Sequence, residues 1–242
     1  MKSFDVSSVC NILVDILLEV SEKDLDSFRL EKGKMHLVDR QHQKEILECL
    51  HSHEKKIELG GSSLNTIKAL SLLGCQVSFS GMVGNDEYAS IARKAMDAVG
   101  IESHLQQHKE EETGKSLILV TPDGERTMNT YLGASSLYHG TDLLYESISR
   151  SRFFHFSGYQ WNSQSQKEVV LRAIDFMKEN SGIVSFDLAD PFVVEAHRSE
   201  FLELLDSRID LVFGNRDETQ RLFKVSLLLI IFLIGCSILF YN

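Results

Sequence analysis

Gly60-Gly61-Ser62-Ser63-Leu64-Asn65-Thr66-Ile67-Lys68-Ala69-Leu70-Ser71-Leu72-Leu73-Gly74 and, a few residues on, Gly81-Met82-Val83-Gly84-Asn85-Asp86 form the stretch that decides the fold. Two adjacent glycines let a backbone approach a ligand or another chain segment with no Cβ between them. The spacing predicts a helix over 63–73 directly after them, stopped by Gly74 in the C′ position. Free N–H groups of that first turn point back at whatever binds there. Asn65 adds a side-chain donor and acceptor from the same turn. Residues 76–80 then read as a short strand, and Glu87 to Val99 as an amphipathic helix with Tyr88, Ile91, Ala92, Ala95, Met96 and Val99 on one face. Gly-Gly, helix, strand, glycine turn, helix is the rhythm of an α/β chain. The glycine pair within it suits a polyhydroxylated small molecule.

The same alternation runs outward in both directions. Val6 to Val14 reads as a first strand and Asp39 to His53 as a helix. Strands follow at 152–156, 183–187 and 209–213, with helices at 164–178 and 193–205 between them. Such alternation predicts right-handed crossovers and a mostly parallel sheet. One part departs from it. Residues 116–121 and 126–132 read as two strands joined by Pro122-Asp123-Gly124, a tight hairpin. A hairpin inserted in an α/β chain suits a lid or a small second sheet.

Composition excludes several classes. The 242 residues carry a formal net charge of −10 and no basic run, which argues against nucleic acid as a partner. Cys10, Cys49, Cys75 and Cys236 are scattered singly, without zinc spacing, as in a reducing, cytoplasmic setting. His104 and His108 are four apart but lie in a polar stretch and read as solvated surface. The N-terminus has no signal-peptide pattern, since Asp5 and Asp15 interrupt it early. Residues 225–241 are almost wholly apolar, 17 residues preceded by Arg221 and Lys224. That is the lower limit for a bilayer-spanning helix, so a membrane tether with the body in the cytoplasm is the alternative expectation for the tail 225–242.

Candidate site residues follow from position. Asp15 closes the first strand-like run, where α/β sheets bind ligands, and a carboxylate there can accept from two vicinal hydroxyls or cap a loop. Asn215-Arg216-Asp217-Glu218 follows the strand at 209–213 and reads either as a capping box or as a pair that positions hydrated Mg2+. Arg126 in the hairpin is either a solvated charge or a cation for an anionic leaving group. Tyr159, after the strand at 152–156, can flank a planar ring or belong to the core. Thr113-Gly114-Lys115-Ser116 is not a P-loop, because Lys109 stands where the motif needs its first glycine.

Together, Asn11-Ile12-Leu13-Val14-Asp15, Gly60-Gly61 with Asn65, Gly74, Gly84-Asn85-Asp86, Thr113-Gly114, Gly124-Glu125-Arg126-Thr127 and Asn215 with Glu218 resemble the ribokinase-like (PfkB) family of carbohydrate and nucleoside kinases, in its adenosine-kinase-like branch. The resemblance covers about residues 5 to 224. It implies a Rossmann-like αβα sandwich over 1–224 with a small β lid built near 16–58 and 113–133. It implies ATP- and Mg2+-dependent phosphorylation of a primary hydroxyl on a sugar or nucleoside. Asn11, Asp15, Gly60, Gly61, Asn65 and Tyr159 would hold that substrate. Arg126 would serve the phosphate from the lid, and Asn215 and Glu218 would place Mg2+. The family's Gly-Ala-Gly-Asp motif, which supplies its catalytic base, has no counterpart among the 242 residues. The resemblance therefore implies a sandwich incomplete at its C-terminus and doubtful transfer activity, with a non-catalytic, tail-anchored binding or scaffold protein as the alternative.

Overall fold

The computed structural model describes residues 2–224 and, as backbone, 237–240. In chain order the elements are β1 (Phe4–Val9), β2 (Leu13–Glu19), α1 (Glu22–Ser27), β3 (Met35–Leu37), α2 (Arg40–Cys49), β4 (Lys56–Gly60), α3 (Ser62–Leu72), β5 (Val77–Val83), α4 (Glu87–Ala98), β6 (Glu102–Gln107), β7 (Gly114–Val120) and β8 (Arg126–Tyr131). They continue with α5 (Asp142–Ser149), β9 (Ser151–Ser157), α6 (Gln164–Glu179), β10 (Ile183–Asp187), α7 (Pro191–Ala196), α8 (Arg198–Ser207), β11 (Leu211–Gly214), α9 (Arg216–Phe223) and β12 (Ser237–Phe240). Two sheets result. A seven-stranded sheet has the order β12-β11-β10-β9-β1-β5-β6, and a five-stranded sheet the order β3-β8-β7-β2-β4.

Every pairing in the larger sheet is parallel. The chain builds outward from β1 in both directions, so the strand order reverses there. On one face α5 to α9 pack through Ile148, Val170, Ile174, Val194, Phe201 and Leu222 against Phe154, Phe156, Phe186 and Val212. On the other, α3 and α4 pack through Leu64, Ile67, Ala92 and Met96 against Val77 and Phe79. The smaller sheet is mixed. Period-two alternation divides its side chains. Val14, Ile16, Leu18, Leu117 and Leu119 meet Leu25 of α1 and Ile46 of α2. The alternate residues of β2, β7 and β8 face the larger sheet across a cavity.

The first strand-like run is not one strand. It divides at Cys10–Ile12, β1 entering the larger sheet and β2 the smaller. At the crossing, Ile12 N–H donates to Ser135 Oγ (3.0 Å) and the Ser135 hydroxyl lies 3.0 Å from the Ile12 carbonyl. One serine thus takes the place of a ladder partner, so the buried backbone stays satisfied while the strand changes sheets. Asp15 accordingly lies within β2, not at the carboxyl end of a strand of the larger sheet. The helix expected over 193–205 is also two helices, because the chain leaves helical geometry at His197 (φ −120°). The apolar tail 225–241 falls outside the described residues except for β12, whose backbone pairs in parallel with β11. Among the described residues no helix is long and apolar enough to cross a membrane.

The two sheets are joined by a polar knot. Asp86 caps α4 by accepting from Ala89 N–H (2.9 Å). It also accepts from the backbone and hydroxyl of Thr113, both at 2.7 Å. Thr113 Oγ1 in turn accepts from Gly84 N–H at 2.9 Å. Gly84 has no room for a side chain, since a Cβ there would lie 2.5 Å from Glu111 O and Thr113 N. Gly84-Asn85-Asp86 and Thr113-Gly114 thus share one structural role: together they tie the end of β5 to the start of β7. Asp86→Ala removes a cap and two charge-assisted bonds at once. A loss of about 2–3 kcal/mol of unfolding free energy is expected, read from the urea midpoint at unchanged slope.

Candidate acceptor site

At the point where the strand order reverses, beyond the carboxyl ends of β1, β9 and β10, the two sheets enclose a cavity of about 270 Å3. This is where open parallel sheets present ligand sites. Asn11 enters from the end of β1, Gly61, Ser62 and Asn65 from the start of α3, and Tyr159 and Asn162 from the 3-10 turn after β9. The smaller sheet contributes Asp15 from β2, Ser116 and Ile118 from β7, Met128 and Thr130 from β8, and Met35 and Leu37 from β3.

The glycine pair is explained by what surrounds it. A Cβ on Gly60 would lie 2.2 Å from Asp15 Oδ2. Gly61, at φ +119°, would place one 2.4 Å from the Asn11 carbonyl. Any side chain at 60 displaces the Asp15 carboxylate, and any at 61 both strains the backbone and displaces residue 11. Asp15 stands opposite Glu58 in the antiparallel β2–β4 pairing. Burial pushes its carboxyl up to about 6, with Glu58 adding to the rise and Lys68 opposing it. The Asn11 amide oxygen accepts from Gln166 Nε2 (2.7 Å), which fixes the side chain's orientation. Tyr159 is raised above the ordinary phenol range by burial first, then by Asp190, Asp187 and Glu218. It stays a neutral phenol at the cavity wall.

Five sequence-predicted residues, Asn11, Asp15, Gly61, Asn65 and Tyr159, therefore line one cavity, and Gly60 lies against the Asp15 carboxylate that lines it. Arg126 does not join them. It is exposed at the start of β8, two residues from Met128 on the cavity-facing side. Asn215 and Glu218 lie outside it as well and form the capping box of α9. Asn215 Nδ2 donates to Glu218 Oε1 at 2.7 Å, Asn215 N–H to Oε2 at 2.8 Å, and Glu218 N–H to Asn215 Oδ1 at 2.9 Å. Side chains that satisfy one another and a helix end do not form a direct metal shell. Among the described residues no group of three His, Cys, Asp or Glu could hold a metal ion.

Asp187 also lines the cavity, and sequence reasoning missed it. It ends β10, lines the cavity, and accepts from Ser62 Oγ (3.2 Å) and Ala189 N–H (3.2 Å). Ala189 is held at φ +78°, a left-handed conformation costly for a residue with a Cβ. The signal was available: the carboxyl-end argument applied to 183–187 points straight at Asp187. The hairpin residues Ser116, Ile118, Met128 and Thr130 were legible as one face, but not as the roof of a cavity.

Residues 34–228 match the pfkB family of carbohydrate kinases. Adenosine kinase from Dictyostelium discoideum is 26% identical over 234 residues, 92% of this chain and 66% of that protein. Adenosine kinase from Schizophyllum commune is 23% identical over 91% of this chain and 64% of its own length. The chain thus spans about two thirds of these curated relatives. Two solved structures are 31% identical and superpose over 93% of this chain and 68% of theirs. They are a probable sugar kinase from Rhizobium etli (TM-score 0.86) and adenosine kinase from Sinorhizobium meliloti (TM-score 0.85).

The raised Asp15 has a consequence for stability. Its folded value, about 6, lies above its ordinary 3.8, so the folded protein binds the proton more tightly. The stabilisation is complete at low pH and is lost as pH rises from about 4 through 6. Asp15→Asn is expected to remove this decline and raise the unfolding free energy at pH 7.5 on the order of 2 kcal/mol, seen by comparing urea midpoints at pH 5 and 7.5.

Proposed function

Since the chain belongs to the pfkB family of carbohydrate kinases, we propose that the inter-sheet cavity is the acceptor site for an adenosine-like nucleoside, the substrate whose primary hydroxyl receives a phosphoryl group from ATP in this family. The observation that carries this is the cavity's lateral polarity. Asp15 on β2, with Asn11, Gly61 and Asn65 beside it, forms a hydrogen-bonding side. Moving across the smaller sheet through β7 and β8 to β3, the lining passes Ser116 and Thr130, whose hydroxyls bond to each other at 2.9 Å, and turns to Ile118, Met128, Met35 and Leu37. Three strand spacings separate β2 from β3, about 14 Å. A free sugar carries hydroxyls all round and would leave several against thioethers and alkyl groups, unpaired. A nucleoside carries them at one end and a flat, weakly polar ring at the other. The adenosine kinases among the relatives support the same choice.

Each residue then has a role. Asp15 and Asn65 take the vicinal ribose hydroxyls, and Asn11 lies near them. Gly60 and Gly61 keep the backbone close to the sugar. Tyr159 flanks the base. The smaller sheet, from Leu13 to Gly60 and Gly114 to Tyr131, acts as the lid, and Arg126 on its cavity-facing side is the cation that lid closure brings toward phosphate. ATP is the donor that the family implies. Mg2+ is implied with it, but Asn215 and Glu218, tied to each other in the α9 cap, serve at most through water. Phosphoryl transfer rests on positioning and charge stabilisation around a base and a phosphate cradle. The 242 residues hold no Gly-Ala-Gly-Asp sequence. We therefore expect this polypeptide to bind nucleoside and to transfer phosphate at no more than background.

Calorimetric titration with adenosine at pH 7.5 should show one saturable site. Asp15→Ala and Gly60→Ala should each weaken it by roughly 30-fold or more, the first by removing a charged acceptor and the second by displacing it. Affinity should fall as pH drops through about 6, because protonated Asp15 accepts less well. Adenosine affinity untouched by Asp15→Ala would refute the assignment. ADP release from ATP at ordinary kinase rates would refute the expected inactivity.

A further inference from the structure

The 3-10 turn after β9 and the start of α6 repeat one sequence pattern. Ser157-Gly158-Tyr159-Gln160 and Ser163-Gln164-Ser165-Gln166 each place a serine three residues before a glutamine, the signature of a capping box. The first box closes, with Gln160 Oε1 accepting from Ser157 N–H at 2.9 Å. In the second, Ser163 Oγ accepts from Gln166 N–H at 3.4 Å, but the Gln166 side chain does not return to the cap. It runs instead to the Cys10–Ile12 crossing between the two sheets, where it meets Asn11.

Gln166 is 1% exposed there. Its Nε2 donates to the Ser135 carbonyl and to Asn11 Oδ1, the latter at 2.7 Å. A carbonyl oxygen only accepts, so the Gln166 atom that faces Ser135 is the nitrogen. The Asn11 atom that faces this nitrogen is then the oxygen. Asn11 is left with Nδ2 as its free end, on a side chain that lines the acceptor cavity. A backbone carbonyl thus sets the polarity of a cavity side chain through one glutamine. The arrangement has a cost. Gln166 Oε1 is buried and has no hydrogen-bond partner among the described residues, which is uncommon for a buried polar atom. A glutamine placed for stability alone would close the capping box.

We propose that Gln166 is a positioning residue of the acceptor site: by occupying the Asn11 oxygen it commits Asn11 to donate into the cavity, so the substrate atom seated there is a hydrogen-bond acceptor. The ionised Asp15 carboxylate, lining the same cavity, only accepts. One wall thus offers a donor and an acceptor, which suits a hydroxyl or a hydroxyl beside a ring oxygen or nitrogen. A ligand that presents an N–H to Asn11 leaves two donors facing each other, and neither is paired once water is displaced. Asn11 cannot turn over to suit it without losing its bond to Gln166. This assignment deepens the nucleoside reading and rests on it.

The test is a double-mutant cycle read by calorimetric titration with adenosine at pH 7.5. Gln166→Met keeps the side chain's length and removes both donors. It should weaken adenosine about tenfold, Asn11→Ala about as much, and the double variant no more than either alone. Gln43→Met is the control. Gln43 is 2% exposed, and its Nε2 likewise donates to two acceptors, the Lys115 and Asn129 carbonyls at 3.0 and 3.1 Å. Its loss should lower the urea midpoint and leave adenosine affinity within about twofold. In the unaltered protein, the Asn11 side-chain amide resonance, assigned through its own backbone, should shift when adenosine is added. That measurement reports even where Gln166→Met does not fold. Where adenosine binds and Asp15→Ala weakens it, three outcomes overturn the role of Gln166 and leave the nucleoside reading standing. These are losses that add in the double variant, a Gln43→Met loss equal to that of Gln166→Met, and an Asn11 resonance that adenosine does not move. Absence of adenosine binding to the unaltered protein overturns both.

Discussion

Two backbone segments, 10–15 and 58–62, pass each other with no Cβ between them, and most of this molecule is arranged around that approach. The antiparallel β2–β4 pairing places Asp15 beside Gly60, and the chain then turns through Gly61 at φ +119° into α3. With a side chain at either glycine the two segments separate. The Asp15 carboxylate would leave the cavity, the first turn of α3 would lose its position under Asn11, and the smaller sheet would lose its registration on the larger. The glycine pair is therefore a packing constraint in its own right. The close approach is one that the fold itself requires.

The cavity is built from groups that stability alone would not choose. Asp15 is buried enough to lift its carboxyl to about 6, and the facing Glu58 worsens rather than relieves this. Ala189 holds a left-handed backbone at the end of β10. The Asp86–Thr113 knot has the opposite character: every polar atom in it is paired, and it lies away from the cavity. Satisfied polar groups are thus concentrated where the two sheets join, and a left-handed backbone and a destabilised carboxylate line the cavity. A hydrogen-bond donor placed on the Asp15 carboxylate would offset the hydration it loses on burial.

Much of the fold was legible because helices and buried parallel strands carry strong periodic signals. The helix starting after Gly61, the helix Glu87–Ala98 and the strand Ile183–Asp187 lie where the sequence places them, within a residue. What was not legible depended on partners far away in the chain. Nothing within Val6–Val14 announces a change of sheet at Cys10, because the cause is Ser135, more than a hundred residues on. The break at His197 is similarly hidden, since its flanking segments keep one apolar face. The site shows the same division. Residues marked by glycine spacing came together around one cavity, while Asp187 and the roof residues became visible only once the sheets were stacked. Arg126 and the Asn215–Glu218 pair were chosen by resemblance, and their geometry here is that of an exposed strand end and a helix cap.

The larger sheet is asymmetric in a way that bears on chemistry. Its α5–α9 face is a finished core of stacked aromatic rings, with Phe156 and Phe186 centroids 4.9 Å apart. On its other face, among the described residues, helices cover only the β1, β5 and β6 side. Asp187 stands on the boundary, lining both the acceptor cavity and the apolar hollow behind it. The same carboxylate accepts from Ser62 Oγ at 3.2 Å at the start of α3. That one side chain thus joins the wall of the cavity to the wall of the hollow.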